Sequence, residues 1–239
     1  MTFQTIITTI DDNGCGTITL NRPDRRNAIS ILMRKEISAC LAKWQEDDHV
    51  GCVIITGAGN AFSAGFDLDE FKQVERHSEL LESSSRYHRD LWNFSKPIIA
   101  AINGPALGGG FDLACFCDIR IAATTASFGH PEIKFGAPPL YTPLRRIVGD
   151  GHARELCLTG RRIDSAEALR IGLVSSVHDA EHLIEEVGKL AVKILEAPID
   201  ALRYAKRTFI AADASGFEQS FAMEHDRAFR EILLNRFAG

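Results

Sequence analysis

Two carboxylates stand beside glycine-rich stretches in the middle of the chain. Asp112 lies three residues after Gly109, within a stretch that reads Gly-Gly-Gly-Phe-Asp-Leu, and Glu132 lies within Phe-Gly-His-Pro-Glu-Ile. Two carboxylates in different environments can divide the roles of acid and base. Taken singly, Asp112 is as well explained as a solvated acid near a helix N-terminus, and Glu132 is more often a surface carboxylate. The pair indicates acid/base chemistry if the fold brings both side chains to one cleft.

Two glycine-rich loops, over residues 57–68 and 103–113, each follow an apolar, strand-like segment. Glycines allow close backbone approach, and the N-terminus of a helix starting near Gly109 favours an anion. Residues 57–59 lack the third Gly of a dinucleotide fingerprint, and no Gly-Lys-Ser/Thr follows either loop. The loops therefore favour a ligand held by the backbone, and they argue against nucleotide hydrolysis and hydride transfer.

Other nucleophile and metal chemistries find little support in the sequence. Ser63 does not stand in a Gly-x-Ser-x-Gly elbow, and no His can be assigned to it. His130 could line a pocket, although a lone His is more often packed or solvated. The six cysteines form no C-x-x-C, and no two His stand at metal spacing, so we expect reduced, buried thiols and no metal site. The cysteines are Cys15, Cys40, Cys52, Cys115, Cys117 and Cys157.

Strands and helices alternate around these residues. Asp12-Asn13-Gly14 separates two β-branched stretches, which predicts a hairpin. The apolar spacing over residues 30–48 predicts an amphipathic helix with Ser30 as its N-cap. Further predictions are strands over residues 52–56, 97–102 and 119–122 and a helix from Gly109 or Gly110 to Cys117. The alternation indicates an α/β fold with a mostly parallel sheet.

After Gly149 the pattern becomes helical. Asp164 and Glu167 have the spacing of a capping box at the start of a further helix. Three helical segments are predicted between residues 180 and 237. The last of them carries Phe217, Phe221 and Phe229. We expect a core over residues 1–179 and an appended helical lobe over residues 180–239, packed on this core or on a neighbouring subunit.

The composition is that of a soluble globular protein. The chain has 239 residues, of which 45% are hydrophobic, and 27 Lys and Arg against 32 Asp and Glu give a net charge of -5. No global basic field would attract nucleic acid or an anionic membrane. The apolar run over residues 98–102 is far shorter than the roughly 18 residues that span a bilayer, and the N-terminus has no readable secretory signal. We expect a cytoplasmic protein without nucleic-acid or membrane partners.

Five motifs, in order and spacing, resemble the signature of the crotonase superfamily, also called enoyl-CoA hydratase/isomerase. They occupy residues 22–28, 61–68, 104–113, 117–122 and 128–132. The stretch over residues 158–174 also fits, so the resemblance covers nearly the whole chain. It implies a crotonase-like spiral of ββα units with C-terminal helices that help to build homotrimers, often paired into homohexamers.

The resemblance also implies a substrate and a site. The substrate would be an acyl-CoA thioester, with its carbonyl held by the backbone N–H groups of Phe66 and Gly109 and with Asp112 and Glu132 as catalytic residues. Each preorganised donor to a developing oxyanion is worth roughly 2.7–4 kcal/mol. Coenzyme A enters as part of the substrate, and no prosthetic group is implied. The residues implied to bind it are Arg25, Arg26, Ala28, Ala64, Gly65, Asp67, Leu68 and Gly108.

The phosphates of coenzyme A would be local binding partners for Arg22, Arg25 and Arg26, although the protein as a whole is acidic. For any one of these arginines, a solvated surface position is as probable as direct phosphate contact.

Asp112 stands at the first of the two positions where family hydratases have glutamate, and this difference leaves two reactions open. Family hydratases hold a water between two glutamates, whereas here the first is Asp112, and a displacement of about 1 Å can cost on the order of a hundredfold in rate. We expect a hydratase that adds water across a 2-enoyl-CoA, with Glu132 as principal acid/base and Asp112 orienting or deprotonating the water. The alternative is an enoyl-CoA isomerase in which Glu132 alone shuttles the proton.

Two further readings within the superfamily are weaker. Dienoyl isomerases also have Asp at the first position, but they use a further Asp that residues 135–140 lack. A non-catalytic scaffold or RNA-binding relative is disfavoured by the acidic net charge and by the two retained acids.

Pro138 and Pro139, within residues 135–140, remove two backbone hydrogen-bond donors and stiffen the expected pocket wall. We therefore expect the preference for the acyl chain to differ from that of typical hydratases.

Overall fold

The computed structural model describes residues 2–227 and 230–231. In this part of the chain nine strands form two sheets. They are β1 (Ile6–Ile10), β2 (Cys15–Leu20), β3 (Cys52–Gly57), β4 (Ile98–Ile102), β5 (Ala106–Leu107), β6 (Ile119–Ala123), β7 (Ser127–Gly129), β8 (Arg162–Asp164) and β9 (Ser176–His178). The larger sheet has the order β1-β2-β3-β4-β6-β9, antiparallel between β1 and β2 and parallel elsewhere.

The smaller sheet, in the order β5-β7-β8, brings two loops to the same place. β5 runs parallel to β7, and the Gly108 N–H donates to the Gly129 carbonyl across 3.0 Å. The chain after β7, which carries the second acid motif, therefore lies against the glycine-rich loop after β5.

Eight α-helices are described, connected in part by 3-10 turns. They are α1 (Ile31–Glu46), α2 (Leu68–Phe71), α3 (His77–Asn93), α4 (Gly109–Phe116), α5 (Tyr141–Thr159), α6 (Ser165–Arg170), α7 (Leu183–Leu195) and α8 (Ile199–Phe221). None of the described helices is both long enough and apolar enough to cross a membrane.

Both faces of the larger sheet are covered. Val53 and Ile55 of β3 pack into a core shared with α1, α3 and α4, whereas Cys52 and Ile54 pack against α7. Burial on both faces explains why β3 reads as an unbroken apolar run, as buried parallel strands do. The α7 helix contributes Leu183 and other apolar side chains directly to this second core.

The predicted elements before residue 123 are confirmed with small changes in their ends. The hairpin of β1 and β2 forms, and Gly14 in its turn has φ of +82°. The Ser30 side chain accepts a hydrogen bond from the Met33 N–H and caps α1. The Asp164 side chain likewise accepts from the Glu167 N–H across 2.8 Å at the start of α6.

The region after residue 123 departs from the prediction in two respects. Helical structure begins with Tyr141 rather than after Gly149, which lies inside α5 at φ of +76° and kinks it. The strands β7, β8 and β9 were not predicted, because three residues are too few to show a periodic pattern. The division of the chain at residue 180 stays a prediction.

The C-terminal helices contact the rest of the chain. Lys206 on α8 is buried and forms an ion pair with Asp118, whose carboxylate also accepts from the Ile98 N–H across 2.8 Å. Of the predicted phenylalanines, Phe217 and Phe221 lie in α8, and Phe229 lies outside the described residues. All six cysteines are buried and free of disulfides.

A close contact between two loops follows from small residues. A Cβ added at Gly104, just after β4, would lie 2.2 Å from the Asn60 carbonyl oxygen in the loop after β3. This approach requires glycine, because no Cβ can sit that near a backbone oxygen.

We expect Gly104→Ala to destabilise the fold by about 1–3 kcal/mol or more, since the added methyl group meets immobile backbone. The free energy of unfolding in urea measures this. Gly188→Ala in α7 is the matched control, because nothing lies within 4 Å of its added Cβ; there alanine should stabilise the helix by about 0.5–1 kcal/mol. Equal effects at both positions would contradict the contact.

Candidate active site

A cavity of about 630 Å³ opens where the loops after β3 and β4 meet. Such positions, beyond the carboxyl ends of parallel strands, are where α/β folds place ligands. Phe66 and Gly109 line the cavity, and so do Asp112 and Glu132. The structure thus brings together the two loops and the two acids that the sequence singled out.

Most of the residues that were predicted to bind coenzyme A also line this cavity. They are Arg25, Ala28, Ala64, Gly65, Asp67, Leu68 and Gly108. Arg26 is not among the lining residues; it adopts φ of +48°, and its carbonyl accepts from the Ala64 N–H. The binding role of each of these residues stays a prediction.

Glycines allow the two loops to touch at the cavity. Gly65 has φ of +98°, and a Cβ there would lie 2.8 Å from the Leu107 carbonyl oxygen. A Cβ at Gly110 would lie 2.5 Å from the Ser63 carbonyl oxygen. Gly108 turns the chain into α4 at φ of +52° and ψ of −129°, a combination that side chains disfavour.

The proposed oxyanion donors lie on opposite sides of this contact. Gly109 is the first residue of α4, where backbone N–H groups have no partner within the helix. Phe66 forms a parallel bridge with Ile29 that uses the Gly65 carbonyl and the Asp67 N–H. The N–H group of Phe66 itself therefore points away from Ile29.

The two acids flank a buried histidine. Asp112 lies in the first turn of α4, and Glu132 lies in the 3-10 turn Pro131–Phe135. His130 Nδ1 is 2.8 Å from Glu132 Oε1, and its Nε2 is 3.8 Å from Asp112 Oδ1. The His130 side chain is fully buried, whereas 23% of the Glu132 side chain is accessible.

Opposing effects act on the charge of His130. Burial lowers the pKa of its imidazole, but the negative charge of Asp112 and the hydrogen bond to Glu132 raise it, and the net pKa lies above the ordinary value of 6.5. The ring stacks on Phe111 with centroids 4.8 Å apart. His130 is thus positioned to be a cation between two acids.

Sequence reasoning did not find this role for His130. The usable signal was the His-Pro-Glu order, which sets two polar groups on either side of a stiff proline. The approach of Asp112 from α4 could not be read from the sequence, because it depends on how α4 meets the chain after β7.

Asp112, His130 and Glu132 offer ligand atoms within 4.8 Å of one another. The expectation that the protein needs no metal stays a prediction.

Two arginines beside the cavity have acidic partners. Arg22 forms an ion pair with Asp67 at 2.8 Å and donates to the Ala28 carbonyl across 2.7 Å. Arg25 lies 3.1 Å from Asp69 and is largely exposed. Arg25 lines the cavity and Arg22 pairs with the lining residue Asp67, so both basic side chains lie beside the cavity and are held by carboxylates.

Other residues that line the cavity have apolar or imidazole side chains. They include Phe71, Leu140 and His88, the last on α3. His88 Nδ1 is 2.8 Å from the Ser84 carbonyl, so Nδ1 carries the proton. Burial, with a smaller contribution from His225, lowers the pKa of His88 well below its ordinary value, so the ring is neutral. Pro138 also lines the cavity, in the segment expected to form a pocket wall.

Comparison with known proteins places the chain in a family. The model of the enoyl-CoA hydratase/isomerase family matches residues 11–232. A probable enoyl-CoA hydratase of Mycobacterium tuberculosis is 38% identical over 94% of this chain and 88% of its own length. The short-chain-enoyl-CoA hydratase of Clostridium acetobutylicum is 35% identical over 88% of this chain and 87% of its own length.

Solved structures agree with this assignment. An enoyl-CoA hydratase/isomerase from Xanthobacter autotrophicus Py2 superposes with a TM-score of 0.88 at 35% identity, covering 100% of this chain and 89% of the other. An enoyl-CoA hydratase from Mycobacterium smegmatis superposes with a TM-score of 0.83 at 32% identity, covering 98% of this chain and 99% of the other. With its mixed α/β architecture and its similarity along nearly all its length, the chain belongs to the enoyl-CoA hydratase/isomerase family and has the crotonase fold.

Proposed function

We propose that the protein is an enoyl-CoA hydratase that adds water across the double bond of a 2-enoyl-CoA thioester. The observation that carries this proposal is that Asp112 and Glu132 line one cavity beside the start of α4. Relatives named enoyl-CoA hydratase, at 35–38% identity over most of the chain, support the same reaction class.

The reaction begins with polarisation of the thioester. The N–H groups of Phe66 and Gly109 donate to the carbonyl oxygen and hold the negative charge of the enolate that forms when water attacks C3. Asp112 orients the water and accepts its proton, and Glu132 delivers a proton to C2. Two acids with separate tasks fit an addition in which one proton is removed and another is supplied.

The coenzyme A part of the substrate would lie along the cavity mouth. Arg25 and Arg26 would meet its phosphates, and residues 64–68 with Ala28 and Gly108 would line its path. Guanidinium groups suit phosphates because their donors match two oxygens at once. The ion pair between Arg25 and Asp69 is exposed, so an incoming phosphate can replace the carboxylate at small cost.

One observation favours the isomerase as the second candidate. Only 10% of the Asp112 side chain is accessible, against 23% for Glu132, so Glu132 is the more available acid. If Asp112 does not reach the water, Glu132 alone could move a proton between carbons and shift the double bond of a 3-enoyl-CoA.

The assembly is proposed to be a homotrimer or a homohexamer. Large apolar side chains are exposed on the described chain, and burial between subunits would remove them from water. They include Phe135, Leu158, Tyr204 and Phe209. Light scattering of the purified protein measures the mass. The cytoplasmic location and the absence of a prosthetic group stay predictions.

Substitution of the acids tests the reaction. We expect Glu132→Gln to lower kcat for hydration of a 2-enoyl-CoA by about 10²–10⁴-fold, because general acid/base catalysis is lost. Asp112→Asn should lower kcat in the same range if Asp112 accepts the proton of the water. The decay of enoyl absorbance together with the product mass measures both.

Asp112→Glu tests the effect of side-chain length at this position. It retains the negative charge of the carboxylate and lengthens the side chain by one methylene group. Hydration that persists in Glu132→Gln would contradict the assignment. Gain of conjugation from a 3-enoyl-CoA without a change in mass, insensitive to Asp112→Asn, would select the isomerase.

The mouth of the cavity gives a separate prediction. Arg25→Ala should raise KM for the CoA thioester about 3–10-fold with little change in kcat, because it removes binding that is equal in the ground and transition states. Arg170→Ala is the matched control: it is an equally exposed arginine paired with a carboxylate, and it does not line the cavity. Equal KM values for the two variants would remove Arg25 from the binding site.

A further inference from the structure

His130 contacts the two acids with different nitrogens and at different distances. Its Nδ1 lies at hydrogen-bond distance, 2.8 Å, from Glu132 Oε1. Its Nε2 lies 3.8 Å from Asp112 Oδ1, too far for a hydrogen bond but close enough for strong attraction between charges. Among the described residues, this buried Nε2 has no hydrogen-bond partner.

We propose that His130 is a positioning residue that shares one proton with Glu132 and keeps Asp112 ionised, and thereby assigns Glu132 as the acid and Asp112 as the base. The proposal rests on the hydratase function proposed above and adds a third residue to its proton chemistry.

The asymmetry of the distances supports this assignment. A proton can pass along the short Nδ1 to Oε1 contact, so Glu132 can become a carboxylic acid while the imidazole keeps its other proton on Nε2. The longer contact passes no proton, but the positive end of Nε2–H stabilises the carboxylate of Asp112. The residue with the direct hydrogen bond is therefore the proton donor.

Asp112 and Glu132 are the charged groups that favour the protonated form of His130. Asp112 faces the ring from α4, Glu132 faces it from the 3-10 turn, and the uncharged Phe111 ring stacks on it. In the described part of the chain, these two carboxylates are the charged groups that act on its pKa; they outweigh burial and raise it. A cation between the buried Asp112 and the partly buried Glu132 also reduces their mutual repulsion.

The protons balance over one cycle. His130 passes its Nδ1 proton to Glu132, and Glu132 gives this proton to C2 as the oxygen of water bonds to C3. Asp112 takes one proton from the same water. The site is restored when Asp112 releases its proton to solvent and the pair of His130 and Glu132 takes one up, so the net reaction is the addition of one water.

A metal ion is a less suitable occupant of this cluster. Although three ligand atoms lie within 4.8 Å, Nδ1 is already engaged with Glu132. Coordination by Nε2 and Asp112 would leave Glu132 in contact with the ring rather than with the ion. The observed arrangement is that of a hydrogen-bonded bridge.

His130→Gln tests the proposal in the hydration assay, since glutamine can hydrogen-bond but cannot carry the positive charge. We expect kcat to fall about 10–100-fold with KM changed less than about threefold, because binding is untouched while proton supply is impaired. Wild-type kcat should decline on the alkaline side as the shared proton is lost. In His130→Gln this decline should move at least about one unit to lower pH, because the imidazole that takes up the shared proton is absent.

A second measurement does not depend on activity. Nitrogen-15 NMR of the imidazoles, with His130 identified by its disappearance in His130→Gln, reports its protonation directly. We expect the wild-type ring to remain an imidazolium above pH 6.5, the ordinary His value, and to lose its proton at lower pH in Glu132→Gln. Circular dichroism and thermal melting confirm that both variants fold.

The outcomes separate the two proposals. A His130 that titrates at or below its ordinary pKa, or a His130→Gln variant with wild-type kcat and pH profile, would overturn the role of His130. A wild-type protein that hydrates no 2-enoyl-CoA would overturn the proposed function instead, and the titration alone would then decide whether His130 bridges the acids.

Discussion

The site depends on the close approach of two backbone segments, the loop after β3 and the loop that leads into α4. At Gly65, Gly104 and Gly110 an added Cβ would lie 2.2–2.8 Å from a carbonyl oxygen of the opposing loop. Only glycine permits packing at this distance, so the backbones of the two loops are in direct contact, and the Asn103 side chain also donates a hydrogen bond to the Gly59 carbonyl. Phe66 and Gly109, which border the contact, are consequently held at a fixed separation.

This contact also orients the acids. Because Gly108 turns the chain sharply into α4, Asp112 in the first helical turn faces the chain that follows β7. The smaller sheet holds that chain in place through the hydrogen bond from Gly108 to Gly129. His130 and Glu132, which are neighbours in the His-Pro-Glu motif, are therefore set relative to α4 by backbone pairing. Asp112 reaches them from a distant part of the sequence.

The site also holds ionisable groups away from water, since His130 and Asp112 are both buried. Two carboxylates close together, one buried and one partly buried, repel each other, which favours protonation of one of them. An imidazole between them supplies that proton in a movable form. This arrangement is compatible with the shorter Asp112, since the two acids need not share one water symmetrically to differ in protonation. The relatives named enoyl-CoA hydratase indicate hydration, and the proposed His130 bridge concerns how this chain divides the proton transfers.

The sequence by itself determined the class of fold, the elements before residue 123 other than α2, α3 and β5, the two glycine-rich loops and the two acids. These features are local: apolar periodicity, turn residues and capping residues act over a few positions. The tertiary structure decided what distant segments do to one another. It extended α5 back to Tyr141 across the kink at Gly149, added short strands stabilised by their neighbours, and placed His130 between Asp112 and Glu132. The charge of a buried histidine depends on groups brought in from other elements, so no spacing along the chain could have predicted it.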